Sequence, residues 1–182
     1  IEQLQGREVQ AAVRRTVLGD VAREACTRCA VRQPVPSLAV LEAVAVQADA
    51  ERLGMMIEHL IRNAQDATHE GGTVTVAVAI DGGPGADTAV PLADTSNQLR
   101  IPMAALTVSD DGAGMSREFI EQRLFKPFDT TKGSKGMGIG AYQVREYVLS
   151  LGGRVDVASE EGQGTRFTVR LPLAEGTEGT LS

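Results

Sequence analysis

Three polar and glycine-bearing clusters follow one another along this chain: Asn63 within Glu58-His59-Leu60-Ile61-Arg62-Asn63-Ala64, then Asp110-Asp111-Gly112-Ala113-Gly114, then Gly136-Met137-Gly138-Ile139-Gly140. Their chemistries are complementary. An amide suits a hard metal ion, a carboxylate suits the donor edge of a base, and closely spaced glycines let backbone approach phosphate. Each cluster alone is weak evidence, but the ordered set reads as a nucleotide site.

The 182 residues suffice for one well-buried domain, and 42% hydrophobic with 23% charged residues is ordinary for a globular one. A net charge of -6 offers no basic field, which disfavours nucleic acid as a partner. No apolar run reaches the roughly 18 residues of a membrane span, so no membrane contact by this chain and a cytoplasmic setting are expected. Starting at Ile1 without Met, the chain reads as a piece of a longer parent, one that could carry membrane or sensory segments elsewhere. Cys26 and Cys29 form a single Cys-x-x-Cys inside a helical pattern; with no second pair, they read as small packed residues rather than a zinc or redox site.

Val9, Val13, Val17, Val21 and Ala25 recur at helical spacing and predict one or two helices before Gln33-Pro34-Val35-Pro36. Leu38, Val40, Val44 and Val46 alternate as short strands, and Asp49 is placed to cap the helix that follows. Leu53, Met56, Ile57, Leu60, Ile61 and Ala64 form that helix's apolar stripe, with Asn63 at its edge and His59 and Asp66 on the same flank. Glu58 lies five positions before Asn63, about 140° around the helix, and points elsewhere. Val74, Val76, Val78 and Ile80 alternate as a strand; 81–102, rich in Gly and Pro, reads as a long flexible connection. A further strand over 104–109 delivers Asp110 at its end, and Ser116 caps a short helix to about Leu124. Residues 125–135 look like a hinged lid. Residues 139–151 are helical up to Gly152-Gly153, and 154–158 with 165–171 form a hairpin. After Pro172 the chain is expected to fray, with 175–182 a flexible tail.

Adenine carries an exocyclic amine where guanine carries a carbonyl, so a buried Asp110 carboxylate would favour adenine. Gly112 and Gly114 would let the backbone turn closely around base and ribose. The Asn63 amide oxygen suits magnesium, which shares its shell among protein, phosphates and water. Gly136, Gly138 and Gly140 precede a helix whose free N–H groups favour phosphate oxygens, and Lys132 and Lys135 add positive charge nearby. Thr165 shares strand parity with Phe167, Val169 and Leu171, so its hydroxyl should face the apolar side and need a partner, reaching Asp110 through water.

These residues resemble the catalytic ATP-binding domain of bacterial sensor histidine kinases, within the superfamily shared with gyrase, Hsp90 and MutL. The match covers about 35–172. His59 to Ala64 looks like the N box, Asp110 to Gly114 the first glycine box, Phe125-Lys126-Pro127-Phe128 the F box, and Gly136 to Gly140 the second glycine box; Gly164-Thr165 closes the series. Thr130-Thr131-Lys132 is similar to the nitrogen-regulation-like branch. The resemblance implies an α+β fold: a two-layer Bergerat sandwich, its sheet mixed and mostly antiparallel, with helices on one face. It implies ATP and magnesium as cofactors, with Asn63 as metal ligand and Asn63, Thr131 and Lys132 in the catalytic role. His59, Asp66, Asp110, Gly112, Gly114 and Met115 would contact the nucleotide. So would Phe125, Phe128, Thr130, Lys135, Met137, Ile139 and Thr165, together with the second glycine box.

The resemblance further implies transfer of the terminal phosphate to a histidine on a separate dimerisation domain of a homodimeric parent, and a response regulator downstream. Neither His59 nor His69 has the acceptor pattern. Residues 1–15 would be the end of the connecting helix or a linker, and 16–174 the catalytic domain. His59 departs from the asparagine usual at its place. Gyrase-like ATPases carry a glutamate base there, and Glu58 faces elsewhere, so hydrolysis is disfavoured as the main function. Two alternatives stay open: a non-catalytic ATP-sensing module of the same fold, and an anti-sigma-type serine kinase.

Overall fold

The computed structural model of the chain describes residues 13–81, 102–126 and 140–174. In chain order these form β1 (Val13–Val17), α1 (Leu18–Cys29), β2 (Ser37–Val40), β3 (Ala45–Asp49), α2 (Ala50–Ala67), β4 (Val74–Asp81) and β5 (Met103–Asp110). There follow α3 (Arg117–Phe119), which runs into one π turn (Ile120–Leu124), then α4 (Ala141–Ser150), β6 (Arg154–Glu160) and β7 (Gly164–Pro172).

Period-two alternation builds the main sheet. Val74, Val76 and Val78 on β4, Ala104, Leu106 and Val108 on β5, and Phe167, Val169 and Leu171 on β7 are all buried, while the residues between them are not. One face is thus a core face. The strand order is β2-β4-β5-β7-β6, antiparallel except for the parallel β2–β4 pair, and α1, α2 and α4 supply the second layer. This is the mixed, mostly antiparallel two-layer sandwich expected. Asp49 caps α2 by accepting from the N–H groups of Glu51 (2.9 Å) and Arg52 (3.4 Å). The stripe of Leu53, Met56, Ile57, Leu60, Ile61 and Ala64 is buried as patterned. Each large member contributes about 1.5–3 kcal/mol by leaving water.

One expected helix is a strand. Val13–Val17 pairs antiparallel with β3, Val13 opposite Asp49 and Val17 opposite Ala45, so the helical reading through Val13 and Val17 is corrected; Val9 lies outside the described residues. The spacing of four valines fits a helix, but β-branched residues also suit strands. Here the free edge of β3 and a buried Thr16 hydroxyl donating to Ala48 O at 3.0 Å decide the matter. The helix begins only at Leu18. At the other end, the fraying expected after Pro172 is corrected at Ala174, which is buried and whose N–H donates to Ala45 O at 2.8 Å; the tail expected over 175–182 lies outside the described residues. Of the connection expected over 81–102, Asp81 is the last residue of β4 and 82–101 lie outside the described residues.

Glu58 and Gln65 are the buried polar residues of α2. Glu58 faces α1, between Arg28 (3.5 Å) and Arg62 (3.4 Å). The Gln65 amide lies 3.0 Å from each of the Cys29, Arg32 and Pro34 carbonyl oxygens and pins the turn after α1 to α2. Cys26 and Cys29 are buried in the same seam, and burial pushes the Cys26 thiol up to about 11. Such thiols are poor nucleophiles and pack as small apolar groups.

Candidate nucleotide site

The site lies where α2 ends against the turn after β5. Ala67 ends α2 one helical turn beyond Asn63, and its carbonyl accepts the Ala113 N–H at 3.0 Å. Thr73 N–H donates to Asp111 Oδ1 at 2.8 Å, tying the same turn to the start of β4. A Cβ on Gly112 would collide with the Ala67 carbonyl, so glycine is required for this approach. Gly114 has φ of +71°, and a Cβ there would strike the Glu160 carbonyl. The helix that carries the first sequence cluster is therefore joined at its C-terminal end, by backbone contact, to the turn that carries the second.

Asn63 and His59 are half-buried neighbours on one face of α2, and the Asn63 Nδ2 lies 3.2 Å from His59 Nε2. An amide nitrogen only donates, so this contact needs His59 with Nε2 unprotonated, and it leaves Oδ1 as the amide's acceptor. Asp66, on the same flank by sequence, pairs with Arg32 at 2.5 Å.

Asp110 is half-buried at the end of β5. Its Oδ1 accepts the Gly112 N–H at 2.9 Å. Burial raises the Asp110 carboxyl above the ordinary aspartate value, while the N–H groups of Gly112 and Thr165 act in the opposite direction. Thr165 is buried, with the strand parity expected of it. Its hydroxyl partner is Ser159 Oγ, at 2.8 Å. Sequence reading missed Ser159. A polar residue in phase with Val155 and Val157 was the available signal, since that parity places it on the core face.

Met115 and Phe125 are partly buried against the core. Ser116 caps α3 as expected, accepting the Phe119 N–H at 3.1 Å. The Arg145 guanidinium of α4 sits 5.2 Å from the Phe125 ring centroid, in cation–π range. Gly140 stands at the N-cap of α4 with no side-chain cap, and its carbonyl accepts from Gln143 (3.0 Å) and Val144 (3.4 Å). Phe128, Thr130, Thr131, Lys132, Lys135, Gly136, Met137, Gly138 and Ile139 lie outside the described residues.

Half-buried Asp110 with its glycine turn fits a base that offers an amine. Among the described residues no three of His, Cys, Asp and Glu gather into a metal cage. The Asn63 amide suits an ion that takes one protein ligand and fills its shell from phosphates and water, as magnesium does.

Residues 48–175 match the family described as histidine kinase-, DNA gyrase B- and HSP90-like ATPase. The chain belongs to that family, and it carries the family's ATP-binding catalytic domain. Sensor histidine kinase ZraS of Escherichia coli O157:H7 is 33% identical over 128 residues, which are 70% of this chain and 23% of ZraS. Among solved structures, a mycobacterial sensor histidine kinase, MprB, superposes with a TM-score of 0.67 at 22% identity, covering 88% of this chain and 97% of that one. Full-length ShkA in complex with AMPPNP gives 0.66 at 25% identity, covering 89% of this chain and 31% of ShkA. The chain spans under a quarter of the length of the curated relatives it matches first.

Proposed function

We infer that this domain binds ATP with magnesium and passes the γ-phosphate to a histidine on a separate dimerisation domain of its parent, a homodimeric sensor kinase that serves a response regulator. The observation that carries the reading is the junction of the two clusters: Asn63 sits one turn before the Ala67 carbonyl that holds the Asp110–Gly114 turn. Base recognition and metal binding then share one rigid corner of the fold.

In this reading the Asp110 carboxylate accepts from the adenine amine. The Asn63 Oδ1 takes the metal, and His59 holds the amide's other end. Magnesium supplies charge that offsets the phosphates during transfer. The uncapped N–H groups at the start of α4 receive phosphate oxygens, Lys132 and Lys135 add positive charge near the terminal phosphate, and Thr131 and Lys132 take the catalytic role that the resemblance implies. Phe125, Phe128 and Thr130 would belong to the lid. Of the described residues, none forms a helix long and apolar enough to cross a membrane. The parent's anchoring in the inner membrane, with this domain in the cytoplasm, is proposed from the kinship with sensor kinases.

The test is transfer between separate proteins. The purified chain with labelled ATP and magnesium should label an added acceptor domain on histidine and show no stable label of its own. Intact ATP binding with no labelling of the cognate acceptor would sink phosphotransfer. A second reading, nucleotide sensing without transfer, is favoured by His59, which stands in place of the usual asparagine and engages Asn63. Under that reading His59→Asn would raise transfer from zero; under the first it alters a rate already present. Label on a protein serine would instead indicate the anti-sigma type.

A further inference from the structure

A single cross-strand row of side chains ends the core face of the sheet. Asp110 on β5 is opposite Thr165 on β7, and Thr165 is opposite Ser159 on β6. The next row inward on that face is apolar throughout, with Val108, Phe167 and Val157 in the same relation. Three polar groups side by side at the rim of an apolar face are a built feature, and the direction of their protons decides what they recognise.

Ser159 has one proton and three neighbours. The Met115 N–H donates to its oxygen at 2.8 Å. The Gly164 carbonyl lies at 3.0 Å and Thr165 Oγ1 at 2.8 Å. A carbonyl carries no proton, so the Ser159 proton goes to Gly164. The contact between the two hydroxyls is then satisfied only when Thr165 donates to Ser159. This turns the Thr165 proton toward β6 and away from Asp110, leaving lone pairs as its remaining hydrogen-bonding capacity.

We propose that Ser159 is a positioning residue for purine specificity: by taking the Thr165 proton it keeps the Asp110–Thr165 pair an edge of acceptors only, which selects a 6-amino purine over a 6-oxo purine. The proposal rests on Asp110 as the base contact, as read above. Same-face cross-strand neighbours have Cβ atoms about 4.5–5.5 Å apart. Without Ser159 the Thr165 hydroxyl can therefore turn to the Asp110 carboxylate. There it competes with the amine of ATP and offers a donor to the oxo group of ITP.

The experiment measures Kd for ATP and for ITP by calorimetry, using the whole 182-residue chain and its Ser159→Ala, Ser159→Thr and Ser159→Ala/Thr165→Val variants. Wild type should prefer ATP. In Ser159→Ala the ITP-to-ATP ratio of Kd values should fall by about tenfold, the weight of one ordinary hydrogen bond. Ser159→Thr keeps the hydroxyl and should keep the ratio. The double variant removes the misdirected hydroxyl and should restore it, which a merely structural Ser159 would not do. If Ser159→Ala does not fold, Ser159→Cys, whose thiol is a poor acceptor, must move the ratio the same way. A ratio unchanged while both Kd values shift together overturns the role of Ser159 and leaves the Asp110 reading standing. Failure of wild type to bind ATP overturns both.

Discussion

Asp110 and Thr165 face each other across β5 and β7, and each is the last inward-facing residue of its strand at that end of the sheet. Core burial raises the carboxyl of the first and demands a partner for the hydroxyl of the second. The rim of the apolar core thus becomes the polar floor of the candidate site.

Asp110→Asn should weaken ATP binding by about 1.5–3 kcal/mol, the value of a hydrogen bond to a charged group. Because the folded carboxyl is raised above its unfolded value, its stabilising share is fully present below the unfolded value and is lost as pH climbs through the folded one. Once ionised, the group therefore costs the free protein stability. Asn keeps an acceptor for the Gly112 N–H, so the variant should melt no lower than wild type without nucleotide. In wild type, ATP affinity should start to fall, as pH is lowered, above the pH at which a free aspartate protonates. Calorimetry across pH, paired with melting curves, checks both halves.

Asn63→Ala should abolish magnesium-dependent transfer while leaving metal-free nucleotide binding within a few fold, since it removes the amide oxygen and touches neither Asp110 nor its turn. Titrating magnesium at fixed ATP distinguishes this from a general loss of affinity. An equal loss with and without metal would show that Asn63 is structural.

Glu58→Gln should lower stability by about 1–3 kcal/mol, because Arg28 and Arg62 lose the charge between them. It should leave any turnover of ATP per folded molecule unchanged. Denaturant unfolding reads the first effect, and phosphate release the second; a collapse of turnover in folded protein would make Glu58 a base after all.

Gln65→Glu should be the most damaging of these changes to folding, at about 3 kcal/mol or more. The amide serves three carbonyl oxygens that no carboxylate can serve, in a site that is 2% exposed. Gln65→Leu, which removes the donor but adds no charge, should cost less. Chemical denaturation of the pair ranks them.

Much of the fold was legible because period was unambiguous where apolar residues were dense. The alternation on β4 and β7 and the stripe on α2 each admit one element type, and Asp49 and Ser116 announced their helices as caps. Val13–Val17 was not legible in that way. Valines four apart satisfy a helix, and the pairing partner that makes them a strand lies 28 residues or more away, in β3.

The chain by itself determined which residues are candidates for the site: Asn63, Asp110, Gly112, Gly114 and Thr165 are marked by residue type, spacing and strand parity, all local properties. Tertiary structure alone decided what these groups do to one another. The Ala113 N–H on the Ala67 carbonyl and Ser159 as partner of Thr165 join residues from different elements. Hydrogen-bond polarity is a property of closed networks, and a network closes only when the strands and helices that bear its members have packed.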